Sequence, residues 1–593
     1  VENVFDFSGN RDIHAFLRCA MDAGLEICLR PGPWVNAECR NGGFPDWLMK
    51  KDCRRRSNDP AYLHFVERFW RRLYEESRDI PLVMIQIENE LVEDAAHIAE
   101  LKRLAMDIGF RAPLYTATGW HSKGGARLPQ DEVIPMFGGY PEAPWEQHRE
   151  KLPPSSHFFF QRMRNDAAIG ADLMPAPAGD GWQLPYERYP FATCEMGGGV
   201  PTGLIRRPII RPMDVYAMSL VELGSGNNWL GYYMYHGGTN ALGKSSTLNT
   251  TWCPVRDYDF QAPISQYGEI REQYRLLNLL NLFVTDFGSI LAPMEMVESE
   301  TVVERCDTES LRYCMRTDGE GGFVFVNHYQ RLDRLKDIQG VVFRTDRVVF
   351  PPMDIQGECC FFMPFDMPMG TEVLEYATAQ PLCRVGHTYF FVEIPGIPPV
   401  YAIQGKVLSP VRSGLDAVLQ AGGVNLVTLT WHQALFARKI RGDLCICETE
   451  DLMERDGRIA AASGNPVFSY YVWRDDRFVL CRAGGDRPAE SLPAACLIRE
   501  PCAQPFDIPE AYALYLNRDH KREQAWFRLR VDSPRGFVVI RDMFDVGQLY
   551  VDGILAADHF YDGRPWRLPA KMLYGRACYL VYSAMEDDFY REF

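Results

Sequence analysis

The chain predicts two kinds of architecture in succession: an α/β region over residues 1–290, then all-β structure to residue 593. Three observations predict this. Over the first half, short apolar runs alternate with helix-period segments, the mark of successive βαβ units. From Leu291 onward the pattern becomes short alternating strands separated by turn residues. At 593 residues, 47% hydrophobic and 24% charged, the chain is long enough for several ordinary globular cores.

In the α/β region the periodicity predicts helices at Asp12 to Ala23, Ala61 to Glu76, Asp94 to Ile108, Met213 to Leu223 and Gly268 to Phe287. Strands are expected near Ile27, Ile85, Leu114, Ile134, Ala192 and Gly231. The first is apolar from Leu25 to Arg30 and is stopped by Pro31-Gly32-Pro33, after which Trp34 to Glu38 and Asn41 to Leu48 form an irregular loop of aromatic, amide and carboxylate groups. In the second, Met84 to Glu90, the polar positions Gln86, Glu88 and Glu90 alternate with Ile85 and Ile87, so one face points into a barrel and the other toward helices. A helix-packed barrel displays its chemistry at such strand ends. Glu90 is therefore a candidate proton donor, although Glu88 and Glu90 also fit as solvated charges at the start of the next helix. Phe191 to Glu195 reads as a strand ending in a second carboxylate, followed by Gly197-Gly198-Gly199, where backbone could approach a ligand closely. An aromatic strand from Asn228 to Asn240 comes next. The stretch from Gly170 to Pro190 is expected as a loop, at the pocket rim or simply on the surface.

In the β part, Gly321 to Asn327 and Phe343 to Phe350 are expected strands, with domains divided at 291–420 and 421–593. Trp566 is read as a packing residue rather than a stacking platform. Seventeen cysteines are odd in number and spread widely, several in apolar runs (Cys28, Cys194, Cys359, Cys360), so core thiols and a reducing cytoplasm are expected. Net charge is −16 and no basic block stands beside an aromatic platform, which disfavours nucleic acid. No apolar run reaches membrane-spanning length, and no signal peptide is visible. The 12 histidines and the cysteines form no zinc-ligand spacing, and there is no phosphate loop, so neither metal nor cofactor is expected.

Four segments, in order, resemble motifs of glycoside hydrolase family 35, the β-galactosidase family: Arg30 to Glu38, Gln86 to Glu90, Tyr232 to Asn240 and Tyr258 to Pro263. The resemblance implies a (β/α)8 TIM-type barrel with retaining chemistry, Glu90 as acid/base and Glu195 as nucleophile. It implies a terminal galactose bordered by Asn36, Ala37, Glu38, Asn89 and Tyr233, and a carbohydrate as the partner. Trp34, Tyr235 and Phe260 complete the expected sugar contacts, with Trp34 and Phe260 standing where the family usually has tyrosine. The stretch Val1 to Gly9 resembles the segment just after the family's second barrel strand, so the barrel is expected to lack its first strands. Residues 525–593 resemble the jelly-roll modules found C-terminal to the family's barrel. Glu195 is expected to stay ionised while its charge raises the pKa of Glu90. Two rival functions stay open: a related exo-β-glycosidase accepting glucosamine, galactosamine or arabinose, and a carbohydrate-binding protein without catalysis. Oligomeric state is left open.

Overall fold

The computed structural model of the chain describes all residues except 1, 92, 118–126, 163, 165–183, 244–246, 251, 302, 485–494, 517–522, 586–588 and 593. Most of the expected 170–190 loop therefore lies outside the described residues. Six strands form one parallel sheet in chain order: β1 (Ile27–Leu29), β2 (Leu82–Asn89), β3 (Leu114–Ala117), β4 (Ile134–Gly139), β5 (Thr193–Met196) and, after a two-residue strand β6 (Arg206–Arg207), β7 (Leu230–Tyr232). All six expected strand positions are occupied. The alternation in β2 has its predicted result on one side: Ile85 and Ile87 are fully buried against Trp70 and Leu101 of the helical layer. Met84 joins Tyr115, Met136 and Ala192 in a separate cluster. Among the described residues β1 and β7 each have one neighbour in this sheet. Cys28, expected in the core, is exposed, because Ile27 and Leu29 take the packed face of an edge strand and leave Cys28 on the other.

The helices start where the chain supplies caps. Asp12 accepts a hydrogen bond from the Ala15 amide ahead of α1 (Ile13–Asp22). After the short α2 (Asp46–Met49), Asp59 caps α3 (Pro60–Ser77), whose proline at the first position lacks an amide that would go unpaired anyway. Asp94 caps α4 (Ala95–Ile108), and Gly109 ends it at φ 131°. The next helix, α5 (Pro212–Gly224), is buried from Asp214 through Gly224 and packs on α6 (Glu272–Leu291), which accounts for its apolar residues on every face. The expected start of α6 at Gly268 is four residues early. Gly268 lies at φ 86° and the Glu269 amide bonds the Ser265 hydroxyl at 3.0 Å, so this stretch is a turn.

Among the described residues beyond α6 the chain is all β, apart from short helices. A seven-stranded sheet uses strands between Glu295–Glu298 and Lys406–Leu408, and every adjacent pair in it is antiparallel. A four-stranded sheet is interleaved with it along the chain, containing Ala379–Val385, Thr388–Glu393, Val424–Leu429 and Val418–Ala421. The expected division at residue 420 falls inside the hairpin of its last two strands. One apolar core runs from Leu220 and Phe283 of the helices through Phe325 and Phe362 to Leu429 and Trp473, so the α/β and β parts share it. Phe343 to Phe350 is not the extended strand its alternation suggested. The Thr345 hydroxyl accepts from the Val348 amide at 2.9 Å, and the Phe350 amide returns to the Phe343 carbonyl at 3.1 Å, folding the segment into a tight hairpin.

The last sheet orders Leu497–Pro501, Gln524–Val531, Cys578–Ser583, Val546–Val551 and Ile554–Phe560. Trp566 is 4% exposed and packs on Phe544 and His559, as the sequence reading favoured. Strand Tyr590–Arg591 then returns to pair in parallel with β6. Beside it Arg331, 4% exposed, meets Glu592 at 2.6 Å, Asp214 at 3.5 Å and Glu142 at 3.8 Å. In a buried ion cluster of this kind desolvation offsets most of the attraction, so its net contribution to stability is small although removing one partner is costly.

Candidate active site

At the C-terminal end of β2 the regular ladder breaks. The pairing with β3 slips between Gln86 and Asn89, and Glu88 and Glu90 both take positive φ, 57° and 52°. The Glu88 amide bonds Gly32 on one side and the Glu90 amide bonds Ala117 on the other, each at 3.1 Å. Alternation therefore ends here, and Glu88 does not share a solvent-facing edge with Glu90. Its carboxylate is buried and receives Arg56 at 2.7 and 3.1 Å. Burial lifts Glu88 to about 6, with Arg56 opposing. Glu88 is not a solvated helix-start charge.

Two side chains connect the candidate carboxylates. Arg30 donates to the Asn89 amide oxygen at 2.8 Å and to Glu195 at 3.5 Å, and the Asn89 amide nitrogen donates to Glu90 at 3.0 Å. Glu195 is 8% exposed at the end of β5, where it pairs in register with Gly138. Burial raises Glu195 to about 7, Arg30 and a hydrogen bond from Tyr140 pull it down, and Glu90 and Glu38 push it up. The donors expected to keep Glu195 ionised are present, and burial opposes them.

The loop after β1 brings a third carboxylate. Asn36, Ala37 and Glu38 are consecutive left-handed residues at φ 51°, 50° and 48°. Such a run costs roughly 1–2 kcal/mol per residue, so it must be held from outside. The Thr250 amide bonds the Glu38 carbonyl at 2.7 Å, the Arg40 amide bonds Leu248 at 2.9 Å, and Cys39 bridges Asn249. The Glu38 carboxylate accepts the Tyr258 hydroxyl, which also meets the Tyr233 hydroxyl at 2.8 Å. Burial raises Glu38 to about 6, against the Tyr258 hydrogen bond.

The aromatic residues separate into two groups. Tyr233 lies under the Arg30 guanidinium, 5.5 Å from its ring centre, and edge-on to Phe260 at 5.3 Å. Phe260, 3% exposed, forms the floor beneath Tyr233, Tyr258 and Tyr140. Tyr235, expected in one wall with Tyr233, borders the same apolar cluster as Tyr233 and Phe260, and its ring packs on Tyr232 and Tyr274. Trp34 is half-buried between Phe44 at 5.3 Å and the Arg56 guanidinium at 4.8 Å. The glycine run after Glu195 approaches protein rather than open space: a Cβ on Gly198 would lie 2.2 Å from the Met234 carbonyl oxygen, and one on Gly199 2.2 Å from that of Phe260.

Gly42 supplies a test of the Trp34 loop. It sits at φ 62°, and an added Cβ would fall 2.0 Å from the Trp34 ring. Gly42→Ala is expected to cost about 2–3 kcal/mol in urea unfolding through backbone strain and a displaced indole. Gly24→Ala, at φ 81° with open space around it, carries strain alone and is expected to cost less. Equal costs would show that the indole yields freely.

Arg30, Tyr140, Tyr258 and Arg56 had no role assigned from the sequence; Arg30 begins the segment Arg30 to Glu38 that resembles a family motif. Tyr140 directly follows Gly138-Gly139 at the end of β4, a strand end like those already singled out. Tyr258 begins the segment Tyr258 to Pro263, in which no single position stands out by residue type. Arg56 closes an Arg54-Arg55-Arg56 run that looks like solvated surface, and nothing local marks it.

Residues 1–283 match the model of glycosyl hydrolases family 35. Over that span the chain is similar to this family. Among curated relatives, beta-galactosidase 6 of Oryza sativa subsp. japonica is 28% identical over 46% of this chain and 28% of its own length. The beta-galactosidase of Xanthomonas manihotis is 34% identical over 23% of this chain and 25% of that one, and the human beta-galactosidase 26% identical over 47% and 39%. The chain thus covers well under half the length of each. The family 35 match ends within α6, and it contains every sequence-predicted site residue.

Proposed function

We propose that the chain is a retaining exo-β-glycosidase that releases terminal non-reducing β-D-galactose, with Glu195 as nucleophile and Glu90 as acid/base. The observation that carries this reading is the bridge Glu195–Arg30–Asn89–Glu90, which links two carboxyl groups at the ends of different strands. Arg30 offsets the charge of Glu195, and Asn89, held by Arg30 and by Gln86 at 3.0 Å, presents its amide nitrogen to Glu90. In the first step Glu195 attacks the anomeric carbon as Glu90 protonates the departing oxygen. In the second, Glu90 takes a proton from water, which displaces Glu195 and frees the sugar. Both steps need only these carboxyl groups, so no metal or cofactor enters the scheme. Glu38, Asn36 and Tyr233 are the groups proposed to bind sugar hydroxyls, with Trp34 and Phe260 as apolar walls. The six-stranded sheet is proposed as part of a (β/α)8 barrel, and the C-terminal sheet as a jelly-roll-like module.

A panel of nitrophenyl β-glycosides tests the reading. The β-galactoside is expected to be cleaved with the highest kcat/KM, with retention visible by NMR as β-galactose first released. A preference for the glucosaminide, galactosaminide or arabinoside would transfer the same mechanism to another sugar, a reading favoured by Phe260, which brings no hydroxyl to the site. Binding of galactose without cleavage of any member would overturn the enzyme.

A further inference from the structure

The hydroxyl of Tyr258 reaches Glu38 from a strand that has little hold of its own. This strand, β9 (Asp257–Tyr258), is two residues long and pairs only with β8 (Gly238–Thr239) among the described residues. The residues leading into it are gripped from a distant part of the chain. Asp558, in strand Ile554–Phe560 of the last sheet, is 1% exposed. Its carboxylate accepts the Val255 amide at 2.5 Å, the Arg256 amide at 2.8 Å and the Asp257 amide at 2.9 Å. Three successive amides aimed at one carboxylate fix both position and direction of the chain, and charge-assisted bonds of this kind are about twice as strong as neutral ones.

The neighbours reinforce the same segment. The Arg256 guanidinium donates to the Asn240 carbonyl, and its Nε reaches the Ala556 carbonyl at 3.5 Å. The Asp257 carboxylate accepts the Asp259 amide at 2.8 Å and the Gln266 side chain at 2.9 Å. Asp558 itself is raised to about 6 by burial, with the three amides opposing, so the contact is retained despite a real desolvation cost. Tyr258 follows directly after the third of these amides.

We propose that Asp558 is a positioning residue of the active site: the C-terminal sheet, through this carboxylate, sets the height of β9 and so places the Tyr258 hydroxyl on Glu38. The proposal rests on the glycosidase reading for its kinetic consequence. Glu38 faces Glu90 and Glu195 electrostatically, so a loosened Tyr258 changes the charge environment of both. It also explains why a sheet outside the family 35 match is packed against this end of the chain's catalytic half: that half does not complete its own site.

The test uses the full chain with Asp558→Asn, Tyr258→Phe and the double variant, measured on the best aryl glycoside of the panel. Asn keeps one acceptor oxygen and presents an amide group to the remaining donors. Asp558→Asn is expected to lower kcat/KM at least about tenfold, since small misplacements of reacting groups cost 10²-fold in favourable cases. The double variant is expected to lie within about twofold of Tyr258→Phe alone, because both remove the same contact. Multiplicative losses, or wild-type kcat/KM in Asp558→Asn, would overturn the proposal. Amide exchange on the wild-type protein reads the contact without any variant: the amides of Val255, Arg256 and Asp257 are expected to exchange as slowly as those of Ile554–Phe560. Fast exchange there would overturn the proposal, whether or not the panel shows glycoside cleavage; absence of cleavage alone would instead fail the glycosidase reading.

Discussion

Glu195→Gln is expected to lower kcat on an aryl β-galactoside by at least about 10⁴-fold, the order seen when a covalent nucleophile is removed. The fold should survive the change. Glu195 is nearly buried and its carboxyl is raised to about 7, so the folded state favours its protonated form. For a group raised in this way, the stabilising contribution is present below the ordinary glutamate range and is lost as pH rises through about 7. A neutral glutamine escapes that loss. The variant is therefore expected to match the wild type in thermal unfolding near pH 4 and to exceed it near pH 8. The same group sets the active form: kcat/KM of the wild type is expected to rise with pH to a plateau with a midpoint near 7, as the nucleophile ionises. Arg30 pulls that midpoint down, so Arg30→Met should move it upward. Retained turnover in Glu195→Gln, checked by mass spectrometry against deamidation, would remove the nucleophile assignment and with it the mechanism.

Glu90→Gln is expected to divide substrates by leaving group. Glutamine preserves an oxygen for the Asn89 amide at the present 3.0 Å contact but carries no acidic proton. Loss of general acid catalysis costs about 10²–10⁴-fold where the departing oxygen needs protonation. A dinitrophenolate departs without that help, so the first step should be nearly spared. The second step still needs a base to activate water, and rapid release of one equivalent of dinitrophenol followed by slow turnover is the expected trace. Equal losses on a dinitrophenyl and an alkyl galactoside, with no burst, would exclude Glu90 from proton transfer. The contrast between this variant and Glu195→Gln separates the two carboxyl groups, which a simple loss of activity in both would not.

Much of the α/β half was legible because local signals and burial agree there. Helix starts follow from Asp12, Asp59 and Asp94 as caps and from Pro60 and Pro212, each a property of a few adjacent residues. The six parallel strands follow from short apolar runs between those helices. Alternation served as long as the ladder was regular, and it misled where the ladder stopped. It misplaced Glu88 past the bulge in β2, and it read the Phe343–Phe350 hairpin as a strand. The glycines after Glu195 were marked as special, but a sequence does not say what approaches a missing Cβ, and here Met234 and Phe260 do.

Residue types and their order along the chain were enough to nominate Glu90 and Glu195, because carboxylates at strand ends are costly unless they are used or paired, whereas Glu38 and Asn89 were indicated only by the resemblance to family 35. Only tertiary structure decided how they act on one another. Arg30 reaches Glu195 across 165 positions, Arg56 crosses from an unmarked basic run to Glu88, and Asp558 reaches back some 300 positions to the strand bearing Tyr258. The reason is physical: a capping aspartate or an apolar period acts over one or two turns, whereas the protonation of a buried carboxyl depends on which distant donors and charges the fold packs around it.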